Sequence, residues 1–470
     1  MTQITVMKFG GTSVEDAFAF ERVVNIVEEH RLLHPVVVVS AMSHVTDELV
    51  EMFETATCNA QSDALRMLDK SLKHYSRAAQ TLLSGDAYAS VQATIETARG
   101  EIAELLRRTA LETETRALLK DAVLSYGEQL SAQLMAAVLR ERGFRAKYVD
   151  ARRCILTDDA HGCASPLMAE TERNTRRELL PLIEASEIPV LGGFIAADVN
   201  GATTTLGRNG SDYTAGIIGA ALVASEIQLW TDVNGILTAD PQLVRQARTI
   251  PRLAYTEASE MAYFGARVLY PKAVEAASVA CIPMRICNTR EPNEIGTLIT
   301  AETLPSAHSI RAIVHKPGIS VVHIRSTRVL GAHGFLRAVF EILDRHRTVV
   351  DVVTTSEVNV SLLLDDERVL PSMLEELSQL GIVEIEKNCA VISIIGEGLR
   401  RRRGIMARVL NSITDINVSL ISQSASNSSM SFVIEEEHLN DALVRLHEGF
   451  FEIEMEQPLG TLAEAWSPAG

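Results

Sequence analysis

The chain has 470 residues, 47% hydrophobic and 22% charged, a composition typical of globular proteins and a length that suggests about three domains. Its formal net charge of −17 argues against nucleic acid or an anionic membrane as the main partner, because both require a basic surface. The six cysteines form no C-x-x-C pair, and no apolar run approaches the roughly 18 residues of a membrane span. We therefore expect a cytoplasmic protein that acts on small molecules.

The first predicted strand, residues 4–7, leads directly into Lys8 to Val14, which reads Lys-Phe-Gly-Gly-Thr-Ser-Val. A lysine at a strand end, two residues without Cβ and two hydroxyls opening a helix can together hold a phosphate group. The chain has no G-x-x-x-x-G-K-[ST] sequence, so this is not the common nucleotide loop. The motif predicts a phosphoryl-transfer site, and the alternative is a tight turn that merely needs glycine.

Up to about residue 300, short β-rich runs alternate with long helical stretches, which is typical of a mostly parallel sheet covered by helices. Residues 36–39, 188–191 and 226–230 are predicted strands, and the stretch from about 47 to 142 is predicted to be helical. Open α/β sheets bind ligands in the loops at the carboxyl ends of their strands. We therefore expect the ligand site there.

Two later segments carry candidate site residues, and each has a plainer alternative. Glu128 follows a glycine at a predicted helix start, where a carboxylate could equally be a simple cap. In the loop 203–212, Gly207, Asn209 and Gly210 tolerate positive φ and could form an anion-binding concavity before a predicted helix at 213–224.

Three side chains of that loop have possible roles. Ser211 or Asp212 could cap the helix. Arg208 has a planar fork that matches the two oxygens of a carboxylate, although a solvated surface arginine is the alternative. Residues 230–235 run from a strand into an acidic turn, which is a weak signal by itself.

The segment 289–309 is predicted to be a linker, because it is rich in proline, asparagine and glycine. After it a β-α-β-β pattern occurs twice, with loop glycines Gly334 and Gly404 separated by 404 − 334 = 70 residues. This spacing predicts a tandem repeat of small β-α-β-β-α-β modules, with chance similarity as the alternative. The predicted domains are residues 1–300, a first module at 310–385 completed by 450–465, and a second module at 386–449.

Together these motifs resemble the amino acid kinase family, in the branch that phosphorylates aspartate and carries a C-terminal pair of ACT modules. The resemblance covers essentially the whole chain and rests on residues 8–14, 40–46, 125–128, 192–194, 203–212, 230–232 and 264–266. It implies an α/β fold, a mostly parallel sheet sandwiched by helices, followed by two ferredoxin-like βαββαβ modules. The implied reaction is the ATP-dependent phosphorylation of L-aspartate to 4-phospho-L-aspartate, the first step of lysine, threonine and methionine biosynthesis.

The chemistry of that reaction agrees with the residue types. A carboxylate with an ordinary pKa near 3.9 is already ionised at neutral pH, so the reaction needs no general base. Catalysis then consists of alignment and charge neutralisation. By resemblance, Lys8 stabilises the transferred phosphoryl group, and Asp212 organises Lys8 and the metal-bound phosphates. Mg²⁺ is expected to be bound mainly through the nucleotide, with no dedicated protein ligand.

The resemblance also implies which residues bind the two substrates. The aspartate-binding positions are Ser40, Thr46, Glu128, Phe194, Arg208 and Ser211. Among them Arg208 meets a carboxylate and Glu128 the α-ammonium. The ATP-binding positions are Lys8, Gly10, Gly11, Thr12, Ser13, Thr231, Asp232, Leu237, Gln242, Gly265 and Arg267. Leu237, Gln242 and Arg267 replace a tyrosine, an arginine and a lysine of relatives, which leaves nucleotide affinity and specificity open.

The ACT modules imply feedback inhibition by an end-product amino acid. The implied effector positions, similar to those of the lysine-sensitive type, are Val329, Gly334, Phe335, Leu336, Val350, Asp351, Thr355, Ser356 and Glu357. Two acids suit a dibasic ligand, which favours lysine over threonine. Open sheet edges predict a homodimer or larger assembly, and a purely structural dimerisation role is the alternative. The sequence does not distinguish a dimer from a tetramer, or inhibition of substrate affinity from inhibition of turnover.

Two other functions remain possible at this point. A kinase for another acidic amino acid would use the same fold. A catalytically silent amino-acid sensor would agree with the departures at Leu237, Gln242 and Arg267.

Overall fold

The computed structural model describes residues 3–265, 269–301, 310–325, 334–356, 359–365, 369–424 and 427–452. The chain forms two compact units. The first unit comprises Met1–Ile236, Pro251–Tyr255 and Val268–Leu304, and the second comprises Leu237–Ile250, Thr256–Arg267 and Pro305–Gly470. Two short segments from before residue 300 therefore belong to the same unit as the C-terminal part of the chain.

The first unit is built on an eight-stranded sheet of order β3-β5-β2-β1-β8-β10-β11-β9. Its strands are β1 (Thr5–Phe9), β2 (Pro35–Val39), β3 (Ala146–Tyr148), β5 (Ile188–Gly192), β8 (Glu226–Thr231), β9 (Arg252–Ala254), β10 (Met284–Asn288) and β11 (Thr297–Thr300). A small second sheet contains β4 (Leu156–Thr157), β6 (Ile195–Asp198) and β7 (Thr203–Thr205). Every residue of β2 and β5 is buried, as expected of strands covered on both faces.

Helices cover this sheet. They are α1 (Ala17–Glu29), α2 (Val45–Thr57), α3 (Gln61–Leu82), α4 (Gly85–Leu111), α5 (Arg116–Glu141), α6 (Met168–Glu184), α7 (Gly210–Leu222) and α9 (Pro271–Val279). Four of them, α2 to α5, fill the stretch predicted to be helical. The helix α8 (Tyr255–Tyr263) belongs to the second unit except for its first residue. The predicted α/β architecture is confirmed. No helix among the described residues is long and apolar enough to cross a membrane.

Parallel pairing brings four strand ends to one edge of the main sheet. β1 pairs in parallel with β2 and with β8, and β2 pairs in parallel with β5. The segments that follow β1, β2, β5 and β8 therefore leave the sheet side by side.

The second unit contains one six-stranded antiparallel sheet of order β13-β14-β12-β15-β17-β16. Its strands are β12 (Ile310–Arg325), β13 (Val352–Thr355), β14 (Asn359–Asp365), β15 (Ile382–Gly396), β16 (Leu420–Gln423) and β17 (Ser429–Glu435). Its helices are α10 (Phe335–Arg345), α11 (Pro371–Ser378), α12 (Ile405–Ser412) and α13 (Leu439–His447). The predicted repeat is visible in the backbone, because Gly334 and Gly404 precede α10 and α12 with φ of 91° and 82°.

The two modules share their long strands, which differs from the predicted boundaries. One core cluster joins the ends of β12 and β15 near residues 322–324 and 383–385 to α10, α11 and β14. A second cluster joins the opposite ends, near residues 310–313 and 390–394, to α12, α13 and β17. β15 thus runs through the predicted boundary at 385/386, and the start of β12 belongs to the second module. Phe450 and Phe451, expected to help complete the first module, are buried in the second cluster, and residues from 453 onward lie outside the described part.

Candidate active site

Lys8 and Asp212 meet at the carboxyl edge of the main sheet. Lys8 lies one residue before the end of β1, and Asp212 lies in the first turn of α7. The Lys8 Nζ is 2.5 Å from the Asp212 Oδ1, and each side chain is about one-eighth exposed, at 12% and 13%. A lysine held by one carboxylate and still reachable from solvent can interact with an incoming phosphate group.

The glycine-rich turn after β1 is held against its neighbouring strand. The backbone N–H of Gly10 donates to the carbonyl oxygen of Trp230 at 3.0 Å, and a short 3-10 helix follows at Gly11–Val14. Ser13 is buried, and its hydroxyl contacts the carbonyl oxygen of Trp230 and the hydroxyl of Thr289. Gly11 and Thr12, both half-buried, therefore form the accessible side of this turn, while Gly10 is buried and the Ser13 hydroxyl supports the turn from inside.

Glu128 lies in the middle of α5, so the expectation that it begins a helix is wrong. The four helices α2 to α5 have boundaries that the sequence does not mark, and α5 begins twelve residues earlier, at Arg116. Glu128 is only 3% exposed, and its Oε2 has no hydrogen-bond partner among the described residues. A helix dipole therefore does not explain why a carboxylate is tolerated at this position.

The buried position changes the titration of Glu128. Burial raises its pKa from 4.5 to about 8, although a hydrogen bond from the Ala41 backbone and the charge of Lys8 oppose this shift. A carboxyl group this far from water is ionised readily only when a cation is beside it. The site therefore offers a prepared position for a positively charged group.

Phe194 and Ser211 lie where the end of β5 closely approaches the start of α7. Phe194 follows β5 with a φ of 68°, and its N–H donates to the Thr214 hydroxyl at 3.0 Å. Gly193 approaches Ser211 so closely that an added Cβ would lie 2.6 Å from the Ser211 Cβ. Only glycine fits there, and the close approach fixes Ser211 next to the end of β5.

The loop before α7 differs in detail from the prediction. α7 begins at Gly210, so Ser211 and Asp212 lie inside its first turn, and Asn209 takes the cap position. Gly207 and Asn209 have the expected positive φ, 79° and 55°, whereas Gly210 does not. Arg208, between them, is exposed and has no partner among the described residues. Its guanidinium is thus free to bind an anion from solvent.

Ser40 and Thr46 flank the same edge. Ser40 follows β2, and its N–H donates to the carbonyl oxygen of Phe9 at 3.0 Å. Thr46 is in the first turn of α2. Both are partly exposed. The first unit thus brings together the candidates from four strand ends: Lys8 with the turn after β1, Ser40, Phe194 with the α7 start, and Thr231.

The nucleotide-side candidates are divided between the units. Thr231 ends β8, and its hydroxyl donates to Asp232 at 3.2 Å. Leu237, Gln242 and Gly265 belong to the second unit, and Arg267 lies outside the described residues. Gly265 has a structural reason to be glycine, since it has a φ of 114° and any Cβ would clash with the carbonyl oxygen of His315. The sequence alone could not separate this packing role from a role in ATP binding.

Most of the effector candidates lie around the first module's helix α10 and strand β13. Gly334, Phe335 and Leu336 begin α10, and Val350 and Asp351 precede β13. Thr355 and Ser356, at the end of β13, are exposed, whereas Val329 and Glu357 lie outside the described residues. The Tyr263 hydroxyl donates to the carbonyl oxygen of Asp351 at 3.1 Å.

Asp351 has a partner that the sequence analysis missed. The Lys316 Nζ lies 2.5 Å from the Asp351 Oδ2 and 2.6 Å from the Asp365 Oδ1. Burial disfavours the charged lysine, but hydrogen bonds to the two carboxylates outweigh this effect and hold the pKa of Lys316 above its ordinary value. No short-range signal marks this triad, because its members come from β12, the β13 approach and β14.

A second missed residue is Asp121, a buried carboxylate on α5 seven residues before Glu128. One signal was available in the sequence. Asp121 shares a helix face with the buried Leu124, three residues later, so an acid at this position requires a polar partner.

Comparisons with known proteins identify the family of this chain. Residues 3–288 match the amino acid kinase family, and residues 392–450 match the ACT domain. The chain is 34% identical over 468 residues to lysine-sensitive aspartokinase 3 of Escherichia coli, covering 96% of this chain and 100% of that protein. It is 35% identical over 462 residues to chloroplastic aspartokinase 1 of Arabidopsis thaliana, covering 95% and 80%.

Solved structures extend the same relation to three dimensions. The crystal structure of E. coli aspartokinase III with aspartate and ADP has a TM-score of 0.86 at 34% identity, covering 96% of this chain and all of that one. The complex of that enzyme with lysine and aspartate has a TM-score of 0.78 with the same coverage. The chain therefore belongs to the amino acid kinase family, within its aspartokinase group.

Proposed function

We propose that this chain is an aspartate kinase, which transfers the γ-phosphoryl group of ATP to the side-chain carboxylate of L-aspartate. The observation that carries the proposal is Glu128, a fully buried carboxyl group with one oxygen unpaired among the described residues. Such a group requires a cation, and the α-ammonium of an amino acid provides one. The charge of Lys8 acts on the Glu128 carboxyl, so the ammonium site adjoins the phosphate site.

The remaining groups complete the substrate position. Arg208, exposed and free to turn, binds the α-carboxylate of aspartate through its planar fork. Ser40, Thr46, Phe194 and Ser211 surround the substrate between these charges. The side-chain carboxylate of aspartate is then held toward Lys8. This carboxylate is already ionised, so it can attack the γ-phosphorus in line with the leaving ADP oxygen.

Lys8 and Asp212 act on the phosphoryl group. As the bond to ADP lengthens, negative charge spreads over the transferred oxygens, and the Lys8 ammonium stabilises that charge. Asp212 holds Lys8 at 2.5 Å, which fixes the ammonium before the reaction begins. Gly10, Gly11 and Thr12 present the backbone turn to the phosphates, while Thr231, Asp232, Leu237, Gln242, Gly265 and Arg267 serve the rest of the nucleotide.

Mg²⁺, bound mainly through the nucleotide, would neutralise part of the charge of the ATP phosphates. The residues at this site fit an ion held mainly by the nucleotide, because Asp212, the acid beside Lys8, is already engaged by that lysine. Asp212 would help to organise the metal-bound phosphates by holding Lys8 in place.

A coupled ADP-release assay tests the proposal. Turnover is expected with L-aspartate and not with L-glutamate, because one more methylene would move the attacking carboxylate out of line. Turnover with glutamate would identify a kinase for another acidic amino acid. Aspartate binding without ADP release would identify a silent sensor.

We further propose that lysine inhibits the enzyme by binding to the first ACT module. The cluster around Lys316 contains two carboxylates, Asp351 and Asp365, and one ammonium, so it retains one net negative charge for a ligand cation. Gly334, with a φ of 91° at the start of α10, exposes backbone N–H groups that suit an α-carboxylate.

Titrating the activity against lysine, threonine and both together tests this regulation. Lysine alone is expected to inhibit, and replacing Glu357 with alanine should relieve the inhibition while leaving uninhibited turnover largely intact. Inhibition by threonine alone, or unchanged lysine inhibition in the variant, would place the effector site elsewhere.

A homodimer or larger assembly through the ACT modules is part of the proposal. The six-stranded sheet has β13 and β16 at its edges, and Val353 and Ile421 on these strands are 37% and 43% exposed. Unpaired edges with exposed apolar side chains favour pairing with another chain. Sedimentation analysis should therefore show no monomer at working concentrations.

A further inference from the structure

Asp121 is a buried charge that the proposed reaction does not use directly. It is 1% exposed and lies two helical turns before Glu128 on α5. Residues seven apart on a helix share a face and lie about 10 Å apart. The face of α5 that presents Glu128 to the substrate therefore also carries Asp121.

The hydrogen bonds of Asp121 to other described residues all reach the part of the chain around the substrate loop. Its Oδ1 accepts a hydrogen bond from the Thr205 hydroxyl at 2.6 Å, and its Oδ2 accepts from the Thr205 N–H at 3.2 Å. The same Oδ2 accepts from the Gly162 N–H at 2.9 Å and lies 3.0 Å from the His161 Nδ1. One carboxylate thus joins α5, the end of β7 and the loop around residues 158–165.

Thr205 is the last residue of β7 and precedes Arg208 by three residues. Its carbonyl oxygen accepts from the Ala164 N–H at 2.9 Å, so the 158–165 loop holds Thr205 from the other side. The next residue, Leu206, donates its N–H to the carbonyl oxygen of Phe194 at 2.9 Å. The base of the Arg208 loop is therefore fixed, whereas the arginine side chain itself is free.

We propose that Asp121 is a positioning residue for aspartate, which sets the distance between Arg208 and Glu128 by tying the base of the Arg208 loop to α5. This inference rests on the proposed function, in which Arg208 binds the α-carboxylate and Glu128 the α-ammonium. These two groups share one carbon atom in the substrate, so their protein partners must keep a fixed separation. A single helix that carries Glu128 and anchors the Arg208 loop provides it.

The experiment compares steady-state kinetics of the full-length enzyme and four variants, one of which is a control. Asp121→Asn replaces one carboxylate oxygen with an NH2 group, which cannot accept the hydrogen bonds that Asp121 accepts. Thr205→Val removes only the hydroxyl donor and preserves the shape of the side chain. Both are expected to raise the KM for aspartate, by about tenfold and severalfold, as for the loss of hydrogen bonds to a charged group. The KM for ATP and kcat should stay within about twofold. Thr205→Ser, which keeps the hydroxyl, should restore the KM for aspartate.

Asp198→Asn is the matched control. Asp198 is also buried, and its Oδ1 accepts from the N–H groups of Asn200 and Ala202 in the hairpin turn at the other end of β7. It should lower thermal stability without moving the KM for aspartate. Folded Asp121 or Thr205 variants with an unchanged KM for aspartate would overturn the inference, as would an equal rise in Asp198→Asn. A wild-type enzyme that does not phosphorylate aspartate would instead overturn the proposed function.

Discussion

Two acids in this molecule are proposed to meet the ammonium of an amino acid, and they are prepared for it differently. Glu128 in the first unit is buried with one oxygen unpaired among the described residues, and burial raises its pKa to about 8. Asp351 in the second unit already has an ammonium beside it, the Lys316 Nζ at 2.5 Å.

The difference indicates how each site responds to its ligand. Ionising the buried Glu128 costs free energy in the empty site, and a substrate cation that pairs with it removes this cost. The positive group of the ligand is therefore needed for tight binding. An effector at Asp351 joins or replaces an ion pair that exists without it, so its net gain is smaller and its release easier. The first arrangement favours selectivity, and the second favours reversible control.

The largest effect is expected from Lys8→Ala, which separates chemistry from binding in the first unit. Lys8 contacts a charge that develops as the phosphoryl group moves, so kcat should fall by about a thousandfold while aspartate affinity changes little. Lys147→Ala, an exposed lysine on β3 of the same sheet, is the control and should keep full turnover. A near-normal kcat in Lys8→Ala would remove Lys8 from the reaction.

Glu128→Gln tests whether the unpaired acid is the ammonium site. Loss of a buried charge pair should raise the KM for aspartate by about 30- to 100-fold, with a smaller change in kcat. Glu141→Gln, on the same helix but with its carboxylate exposed and bonded to the Ser84 hydroxyl, should behave like the wild type. An unchanged KM in Glu128→Gln would mean that the ammonium binds elsewhere.

The pH dependence of aspartate capture should report Glu128. Because the free enzyme holds the Glu128 proton up to about pH 8, kcat/KM for aspartate should rise with pH and level off above that value. The rise should be absent in Glu128→Gln. A profile that is flat between about pH 6 and about pH 9 in the wild type would contradict the assignment.

The stability of the ligand-free enzyme should also depend on the ionisation of Glu128. It should fall with rising pH, whereas kcat/KM for aspartate should rise. The pKa of Glu128 is raised in the folded state from 4.5 to about 8, so the folded state binds more protons between these values. Its contribution to stability is therefore lost as pH rises through this window. Thermal unfolding of Glu128→Gln should lack this loss, so the variant should gain on the wild type as pH approaches 8.

The smallest effect is expected from Lys316→Met in the second unit. Removing the internal ammonium leaves Asp351 and Asp365 without it, so lysine should inhibit at about fivefold lower concentration while uninhibited turnover stays the same. Lys387→Met, an exposed lysine on β15, should leave inhibition unchanged. If Lys316→Met abolishes inhibition, Lys316 does not compete with the effector but helps to bind it.

Much of this arrangement could be predicted from local sequence. The strand before Lys8, the glycine-rich turn after it and the α/β alternation have clear patterns, and the repeat at Gly334 and Gly404 has a fixed spacing. The loop that carries Arg208 could be predicted because residues that tolerate positive φ have a short-range signature, and Arg208 itself because its planar fork matches a carboxylate.

The parts that were missed depend on contacts between distant segments. Glu128 is in a helix as predicted, but its place in the middle of α5 depends on where α4 ends, which no glycine or proline marks. Lys316 meets Asp351 and Asp365 only because of the register between β12, β14 and β13. Strand register is set when the sheet assembles, so it could not be predicted from a single sequence.

The shared strands of the second unit have a consequence for how this protein unfolds and can be divided. β12 and β15 each pass through both ACT cores, so neither core can lose its sheet without fraying the strand that supports the other. The two modules should therefore unfold in one cooperative transition rather than independently. A recombinant fragment cut between residues 385 and 386 would sever a continuous strand, and a soluble regulatory fragment should need both modules together.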